Sequence, residues 1–391
     1  MALHDSFEQS LRSTIAIWQT HRVLIGLFPE LDAPGGIQRA GRHLAFVMSE
    51  FANAHKQEYR MLSLNDSPEL HRMRVGEREF VFTGAARGKA RFAATALRAA
   101  SRRPQLVLAA HPNLAPLVLA MNVAAPRMKS IICTHGIEVW EPLSPIRRRS
   151  LRRATLVLAP SRATADFLVS VQGVAPQKVR VLPWGLDPDF ETKFAGANAT
   201  LPENFPKGRV ILTVGRWLTA ERYKGMDTLI AAMPRLLMHW PDLQLAMVGS
   251  GDDRQWLESA AKESGVSRHV HFISGISYEE LSACYAAAEI FALPSRGEGF
   301  GFVYLEAMAR SKPVIAGAHG GAPEVVQDGV TGYVVQHGDP EQLATSIHAL
   351  LSDPALAKQM GARGRQRVDN EYRFPIFAKA FKKILRELCE S

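Results

Sequence analysis

The stretch "IFALPSRGEGFGFVYLEAMARSKPVIAG" (290–317) decides the fold class. "IFALPS" reads as a buried strand, "RGEGFG" as a glycine-rich turn, "FVYLEAMARS" as a helix stopped before Pro313, and "KPVIAG" as the next strand. Strand, turn, helix and apolar strand make one parallel crossover unit. The alternation extends in both directions. "GRVILTVGR" (208–216), "LQLAMVGSG" (243–251) and "HVHFISG" (269–275) complete one set of strands. "HRVLIGLFP" (21–29), "QLVLAAHP" (105–112), "SIICTHG" (130–136) and "TLVLAPS" (155–161) make another. Apolar strands divided by helical segments such as "GMDTLIAAMPRLLMHW" (225–240) imply parallel sheets covered on both faces.

A chain of 391 residues is too long for one ordinary core, so the two strand sets read as two domains. The segment 183–208 is rich in Pro, Gly, Asn and Asp and lacks an apolar period. It divides a first domain (1–190) from a second (208–373), with the linker at 191–207. "FPIFAKAFKKILREL" (374–388) reads as an amphipathic helix with Phe377, Phe381, Ile384 and Leu388 on one stripe, expected to pack back on the first domain. In open α/β sheets ligands sit beyond the carboxyl ends of the strands.

Composition excludes several classes. Hydrophobic residues make up 47% and charged residues 22%, which is globular rather than disordered. Cys133, Cys284 and Cys389 are scattered and odd in number, against a disulfide framework or zinc ribbon and in keeping with a reducing cytosol. The start "MALHDSFEQSLRSTIAIWQT" lacks the apolar core of a signal peptide. The longest apolar run, 114–126, is broken by Pro116 and too short to span a bilayer. A soluble protein is expected.

The net charge of +9 favours anionic partners. Its densest cluster, "IRRRSLRR" (146–153), contains Arg147, Arg148, Arg149, Arg152 and Arg153. A solvated helix face and contact with an anionic membrane surface both account for it. Nucleic acid fits less well, because no aromatic residues interleave to stack bases.

At the end of "IFALPS", a glycine turn feeding a helix N-terminus offers unpaired N–H groups and a positive dipole end, suited to a phosphate. Glu306 lies about one turn into that helix. A carboxylate there would repel phosphate, so neutral hydroxyls such as those of ribose are its expected partners. Glu298, in the turn, is free to address a sugar ring or a developing positive charge.

These residues carry a resemblance. "EGFGFVYLE" resembles the E-x7-E element of family-4 glycosyltransferases. "VGRWLTAERYKGMDTLI" (214–230) is similar to the family's basic strand–loop, and "VGSGDDR" (248–254), "HFISGISYEELSACYAAAEIFALPS" (271–295) and "GGAPEVVQDGVTGYVV" (320–335) follow in order. In the first half, "FPELDAPGGIQR" (28–39), "THGIEVW" (134–140) and "VLPWGLD" (181–187) resemble the family's glycine loop, histidine segment and pre-linker motif. The similarity covers nearly the whole chain. A lone glycine loop would be weak evidence; several motifs in order are strong.

The resemblance implies an α/β chain of GT-B fold, two Rossmann-like doubly wound domains facing across a cleft. The acceptor binds the first and the sugar nucleotide the second. It implies transfer of a hexose with retention and without a bound metal or other cofactor. Arg216 and Lys224 would then stabilise the charge left on the nucleoside diphosphate, each charge-assisted contact contributing about 1.5–3 kcal/mol. Seven residues separate them, longer than the common family spacing, which leaves Arg222 as an alternative to Lys224. Lys224 is favoured because "KG" immediately precedes the helix.

His135 would meet the donor sugar and, with Glu298, Arg216 and Lys224, form the catalytic set. Gly35, Gly36, Gly249, Gly299, Phe300, Gly301 and Glu306 would contact the donor. His111 is a weaker candidate for the acceptor side. The first-half motifs and "ERYKG" lean toward enzymes that build bacterial surface polysaccharides on lipid carriers, with GDP-mannose as donor and a UDP-hexose as the other option. Such an enzyme would sit peripherally on the cytoplasmic membrane face, its arginine cluster against anionic lipid.

Other readings fit less well. A nicotinamide oxidoreductase needs G-x-G-x-x-G directly after the first strand, which "GLFPELDAPGG" does not supply. A retaining glycosidase would use Glu298 and Glu306 as a carboxyl pair, yet the surrounding basic and glycine loops answer to a diphosphate. A non-catalytic module binding anionic surfaces would not need E-x7-E, Arg216 and Lys224 together. A nucleotide-sugar epimerase of the same fold is the nearest rival, and needs no acceptor.

Overall fold

The computed structural model describes residues 23–192 and 200–390. The N-terminal 22 residues and the centre of the expected linker lie outside them. The first sheet contains β1 (Val23–Phe28), β2 (Glu58–Ser63), β3 (Leu70–Val75), β4 (Arg78–Gly84), β5 (Leu106–Ala109), β6 (Lys129–Cys133), β7 (Leu156–Ala159) and β8 (Val179–Val181). Its order is β3-β4-β2-β1-β5-β6-β7-β8, parallel except for the β3–β4 hairpin. The second contains β9 (Val210–Val214), β10 (Gln244–Val248), β11 (Val270–Ile273), β12 (Ile290–Leu293), β13 (Val314–Gly317) and β14 (Gly332–Val335). It is parallel throughout, in the order β11-β10-β9-β12-β13-β14.

The central strands are the continuously apolar ones. β1, β5, β7, β12 and β13 are buried at every position, as sheets covered on both faces require. β2 and β3 differ: "EYRMLS" starts exposed, and "LHRMRV" alternates charged and half-buried residues. β3 is an edge strand, and its outward arginines suit a place where no further strand should add.

In the first domain α1 (Gly36–Ala54) leaves the end of β1 and buries Leu44, Val47, Met48 and Phe51. α2 (Pro145–Arg153) carries the arginine cluster, and α3 (Arg162–Ser170) follows β7. In the second domain α4 (Met226–Leu237), α5 (Arg254–Glu263), α6 (Tyr278–Ala287) and α7 (Phe302–Ala309) follow β9, β10, β11 and β12. The last helix, α8 (Phe374–Glu390), returns to pack against α1. Lys382 Nζ donates to Glu50 of α1 at 2.8 Å, and Phe377 lies against Trp184.

The chain crosses between domains twice, side by side. Leu186 bridges to Arg373, and its N–H donates to the Tyr372 carbonyl. Where the structure describes the segment 183–208, it is anchored: Trp184, Leu186, Phe190 and Phe205 are all buried.

Candidate active site

The site forms where loops at the carboxyl ends of β9 and β12 meet. After β9, Arg216 precedes and Lys224 ends a short 3-10 turn, Thr219–Lys224, capped by Gly225. Gly225 holds φ +72°, and a Cβ there would lie 2.6 Å from the Pro294 carbonyl oxygen beyond β12. Only glycine permits both the left-handed backbone and the close approach. That packing delivers Lys224 to the turn after β12, where its Nζ lies 2.8 Å from Glu298 Oε1.

Burial opposes the charge on Lys224, but Glu298, then Tyr223 and Glu221, outweigh it and raise its pKa. Arg216 pairs with Glu221 Oε1, and the second oxygen of Glu221 faces Lys224 at 3.9 Å. Glu221 is therefore shared between the two cations. Its side chain is 10% exposed and that of Arg216 64%.

Arg222, the alternative to Lys224, has partners of its own. Its guanidinium makes a two-pronged contact with Asp253 at 2.7 and 2.8 Å and stacks on the Trp256 ring. The insertion turns Arg222 toward α5 and leaves Lys224 on the cleft side.

Across the cleft, His135 ends the β6 strand–loop. Its ring lies between those of His111 and Trp184, at 5.7 and 5.6 Å. Nε2 is 2.7 Å from the Ala110 carbonyl, which can only accept, so Nε2 carries the proton. In the neutral ring Nδ1 is then an acceptor for a hydroxyl. His111 serves first as a cap, its Nδ1 accepting from Asn113 N–H. Burial, with help from His135 and Arg147, lowers its pKa to about 3, so it is neutral near pH 7.

The domains touch through glycine. Gly136 has φ +145°, and a Cβ there would stand 2.4 Å from Gly299 Cα; one on Gly299 would meet the His135 carbonyl oxygen at 1.9 Å. A second contact is a pair of hydrogen bonds. Glu324 Oε2 and Oε1 accept from the Arg162 and Ala163 N–H groups at 2.9 and 2.8 Å, capping α3 from the other domain. A third joins Arg39 of α1 to Glu306 of α7.

That third contact corrects the expectation for Glu306. Its carboxylate is not presented free for ribose: it is buried, accepting from Tyr285 at 2.7 Å, from Tyr278 at 3.3 Å and from Arg39. Burial and then Glu306 raise both phenol pKa values, keeping the hydroxyls as donors. Burial opposes the Arg39 charge, but Glu306, Tyr278 and Asp187 outweigh it.

Several expected donor contacts are also packing positions. Gly249 lets the loops after β9 and β10 meet, since a Cβ would strike the Gly215 carbonyl oxygen at 1.9 Å, and its N–H donates to Ile273. Phe300 is buried edge-on to Phe302 and Tyr372. Gly301 is the left-handed N-cap of α7, pressed on Tyr304. Gly35 has φ +140°, and Gly36 approaches Phe302 across the cleft.

Of the five arginines on α2, Arg148 and Arg152 donate to the Val171 and Gln172 carbonyls. Arg147 and Arg148 are half-buried, and Arg149, Arg152 and Arg153 are exposed. No described helix is long and apolar enough to cross a membrane.

Comparison with known proteins accords with this geometry. Residues 202–367 match the family described as "Glycosyl transferases group 1" and residues 36–190 that described as "Glycosyltransferase Family 4". A GDP-mannose-dependent alpha-(1-6)-phosphatidylinositol monomannoside mannosyltransferase of Mycolicibacterium smegmatis is 39% identical over 266 residues, covering 64% of this chain and 69% of that one. A monoacylated-substrate counterpart from Corynebacterium glutamicum is 35% identical over 288 residues, covering 70% and 74%. Among solved structures, sucrose-phosphate synthase from Thermosynechococcus elongatus aligns with a TM-score of 0.73 at 23% identity, covering 94% of this chain and 99% of that one. An Anabaena protein solved with UDP-glucose aligns at 0.71 and 20%, covering 94% and 100%.

Proposed function

Because this chain belongs to glycosyltransferase family 4 and transfers a glycosyl group from a sugar nucleotide, we propose that it moves mannose from GDP-mannose to a sugar hydroxyl of a lipid-linked glycan. Transfer proceeds with retention and without a bound metal, in polysaccharide or glycolipid synthesis at the cytoplasmic face of an anionic membrane. The observation that carries this is the convergence of Arg216, Lys224 and Glu298 at the glycine turn before α7, opposite His135. The relatives named as GDP-mannose-dependent support the donor, and their phosphatidylinositol-linked substrates support a lipid-linked acceptor.

Cleavage of the anomeric C–O bond leaves charge on the diphosphate. Arg216 and Lys224 stabilise it there, aided by the N–H groups of the turn. Glu298, paired with Lys224, lies beside the sugar and stabilises positive charge as the bond breaks. His135 Nδ1 accepts from a donor-sugar hydroxyl and fixes the ring. The departing phosphate oxygen takes the acceptor proton on the same face, which yields retention.

The test is thermal stabilisation by a panel of sugar nucleotides, then analysis of the product. A ligand at 100 times its Kd stabilises by about 2.7 kcal/mol. GDP-mannose should stabilise most, and mannose should reach a lipid-linked acceptor in the α configuration, in the presence of a chelator. Stabilisation by UDP-hexoses alone would reject the donor. Conversion of the sugar without any acceptor would favour the epimerase.

A further inference from the structure

A second opening lies away from the diphosphate turn, where α1, α8 and the β3–β4 hairpin meet. One part is a cavity of about 260 Å³ lined by Arg39, Arg42 and His43 of α1, Arg74 of β3, and Asp187 and Tyr278. Beside it, sharing Val75 as a wall, runs a groove of about 940 Å³. Phe46, Val75, Phe374 and Ala378 floor the groove, and Lys379 and Lys383 stand on its rim.

Charge and polarity differ between the two parts. In the smaller cavity three arginines face two carboxylates, Asp187 and Asp189. His43 is 1% exposed; its Nε2 faces Asp187 Oδ2 at 3.8 Å, too long for a good hydrogen bond, and its Nδ1 has no hydrogen-bond partner among the described residues. Leaving a buried polar group unsatisfied is costly, so a ligand oxygen here is favoured. The cavity is several times the ~30 Å³ of a water molecule.

The groove is apolar below and basic above. Its walls carry Arg78, Lys379, Lys382, Lys383 and Arg386 against Glu50 and Glu77. Glu50 is already shared by Arg78 and Lys382. Arg74, Lys379, Lys383 and Arg386 make no hydrogen bond or salt bridge among the described residues. On α8, Ile376, Lys379, Ala380, Lys383 and Arg386 form one outward stripe with an exposed isoleucine at its start.

We propose that the paired cavities seat an anionic phospholipid, its headgroup among Arg39, Arg42, Arg74 and His43 and an acyl chain along the groove, with the bilayer surface against Lys379, Lys383 and Arg386. An apolar channel beside a cationic pocket matches an amphiphile with a negative head and suits neither a peptide nor a nucleic acid. A peptide added along the β3 edge would meet its outward arginines rather than the apolar floor. Among the described residues the channel has no exposed aromatic row on which bases could stack. The seat supplies the membrane contact that the function proposed above requires, and rests on that reading only for its membrane setting. It also places lipid beside Arg39, the residue that bridges the cleft to Glu306.

Sedimentation of the full chain with phosphatidylcholine vesicles, with and without phosphatidylglycerol, tests the seat. The triple variant Arg74→Gln/Lys379→Gln/Lys383→Gln should lose about a hundredfold in affinity for the anionic vesicles, at about tenfold per 1.4 kcal/mol and one such step or less per charge. Arg147→Gln/Arg149→Gln/Arg153→Gln on α2 should bind as the wild type does. Ile376→Trp adds an indole at the groove mouth, and phospholipid brominated on its acyl chains should quench the added emission. Loss of binding in the α2 triple alone, no binding by the wild type, or binding without quenching would each overturn the proposal. Stabilisation by GDP or UDP, measured on the same variants, keeps the readings apart: a wild type deaf to both nucleotides would sink the glycosyltransferase proposal and leave the seat standing.

Discussion

Arg216 and Lys224 each meet a carboxylate of their own chain, and Glu221 is common to both. Glu221 would compete with a diphosphate for both cations. Replacing Arg216 or Lys224 with alanine should cut transfer by roughly 30- to 1000-fold, from about 2–4 kcal/mol of lost stabilisation. Glu221→Gln should act in the opposite sense on binding, tightening nucleoside diphosphate by about tenfold, or about 1.4 kcal/mol, in calorimetry. Weaker binding would mean that Glu221 chiefly holds the cations in place.

The two glutamates should separate as well. Glu306→Gln leaves Arg39 without its buried counter-charge, and breaking such a pair costs about 3–5 kcal/mol, so the melting temperature should fall. The Glu298 side chain is 15% exposed against 2% for Glu306, so Glu298→Gln should cost less stability and depress turnover more than nucleotide affinity. Equal melting losses in both would defeat this division. Lys224 and Glu298 were legible because each sits in a local signature, the Lys-Gly step and the glycine turn. Arg39 was not: its partner is 267 positions away, and only the packing of α1 against α7 joins them.

At the scale of elements, legibility followed burial. The strands buried throughout, such as β5 "LVLA" and β12 "IFAL", announced themselves by composition. β2, β3 and β4 did not, since their charged and half-exposed residues read as polar surface, and β14 "GYVV" hides behind the glycine turn at 329–332. The α8 stripe was visible as Phe377, Phe381 and Ile384, but its end drifts: Leu385 and Cys389 are buried while Leu388 is only half so. The loop contact between Gly136 and Gly299 yields a direct expectation. Alanine at either position places a methyl within 2.4 Å of the facing backbone, so the loops must part. Gly136→Ala should keep its fold by circular dichroism and lose most of its turnover. Small-angle scattering should report a larger radius of gyration than for the wild type. Full activity would show that catalysis does not need this contact.

At the scale of the whole molecule, two parallel sheets and a cleft at their carboxyl ends could be anticipated from strand spacing alone. The closeness of the domains could not, because Arg39–Glu306, Gly136–Gly299 and Glu324 at the start of α3 join residues from opposite halves of the chain. Nor could the firmness of the crossing: a Pro- and Gly-rich composition read as a tether, yet Trp184 and Phe190 sit deep in the packing.

The return of α8 to α1 also orders the birth of the protein. The first sheet is translated first, but α1 stays uncovered until residues 374–390 leave the ribosome, long after the second sheet is complete. Domains ordinarily mature from the N-terminus onward during synthesis. Here the second is expected to mature before the first, whose α1 surface that receives Phe377, Phe381, Ile384 and Leu385 would stay open to water. A nascent chain halted after residue 373 should therefore show a protease-resistant fragment spanning β9–β14, with the first domain still cleaved. Resistance of both domains at that length would show that α1 needs no cover to fold.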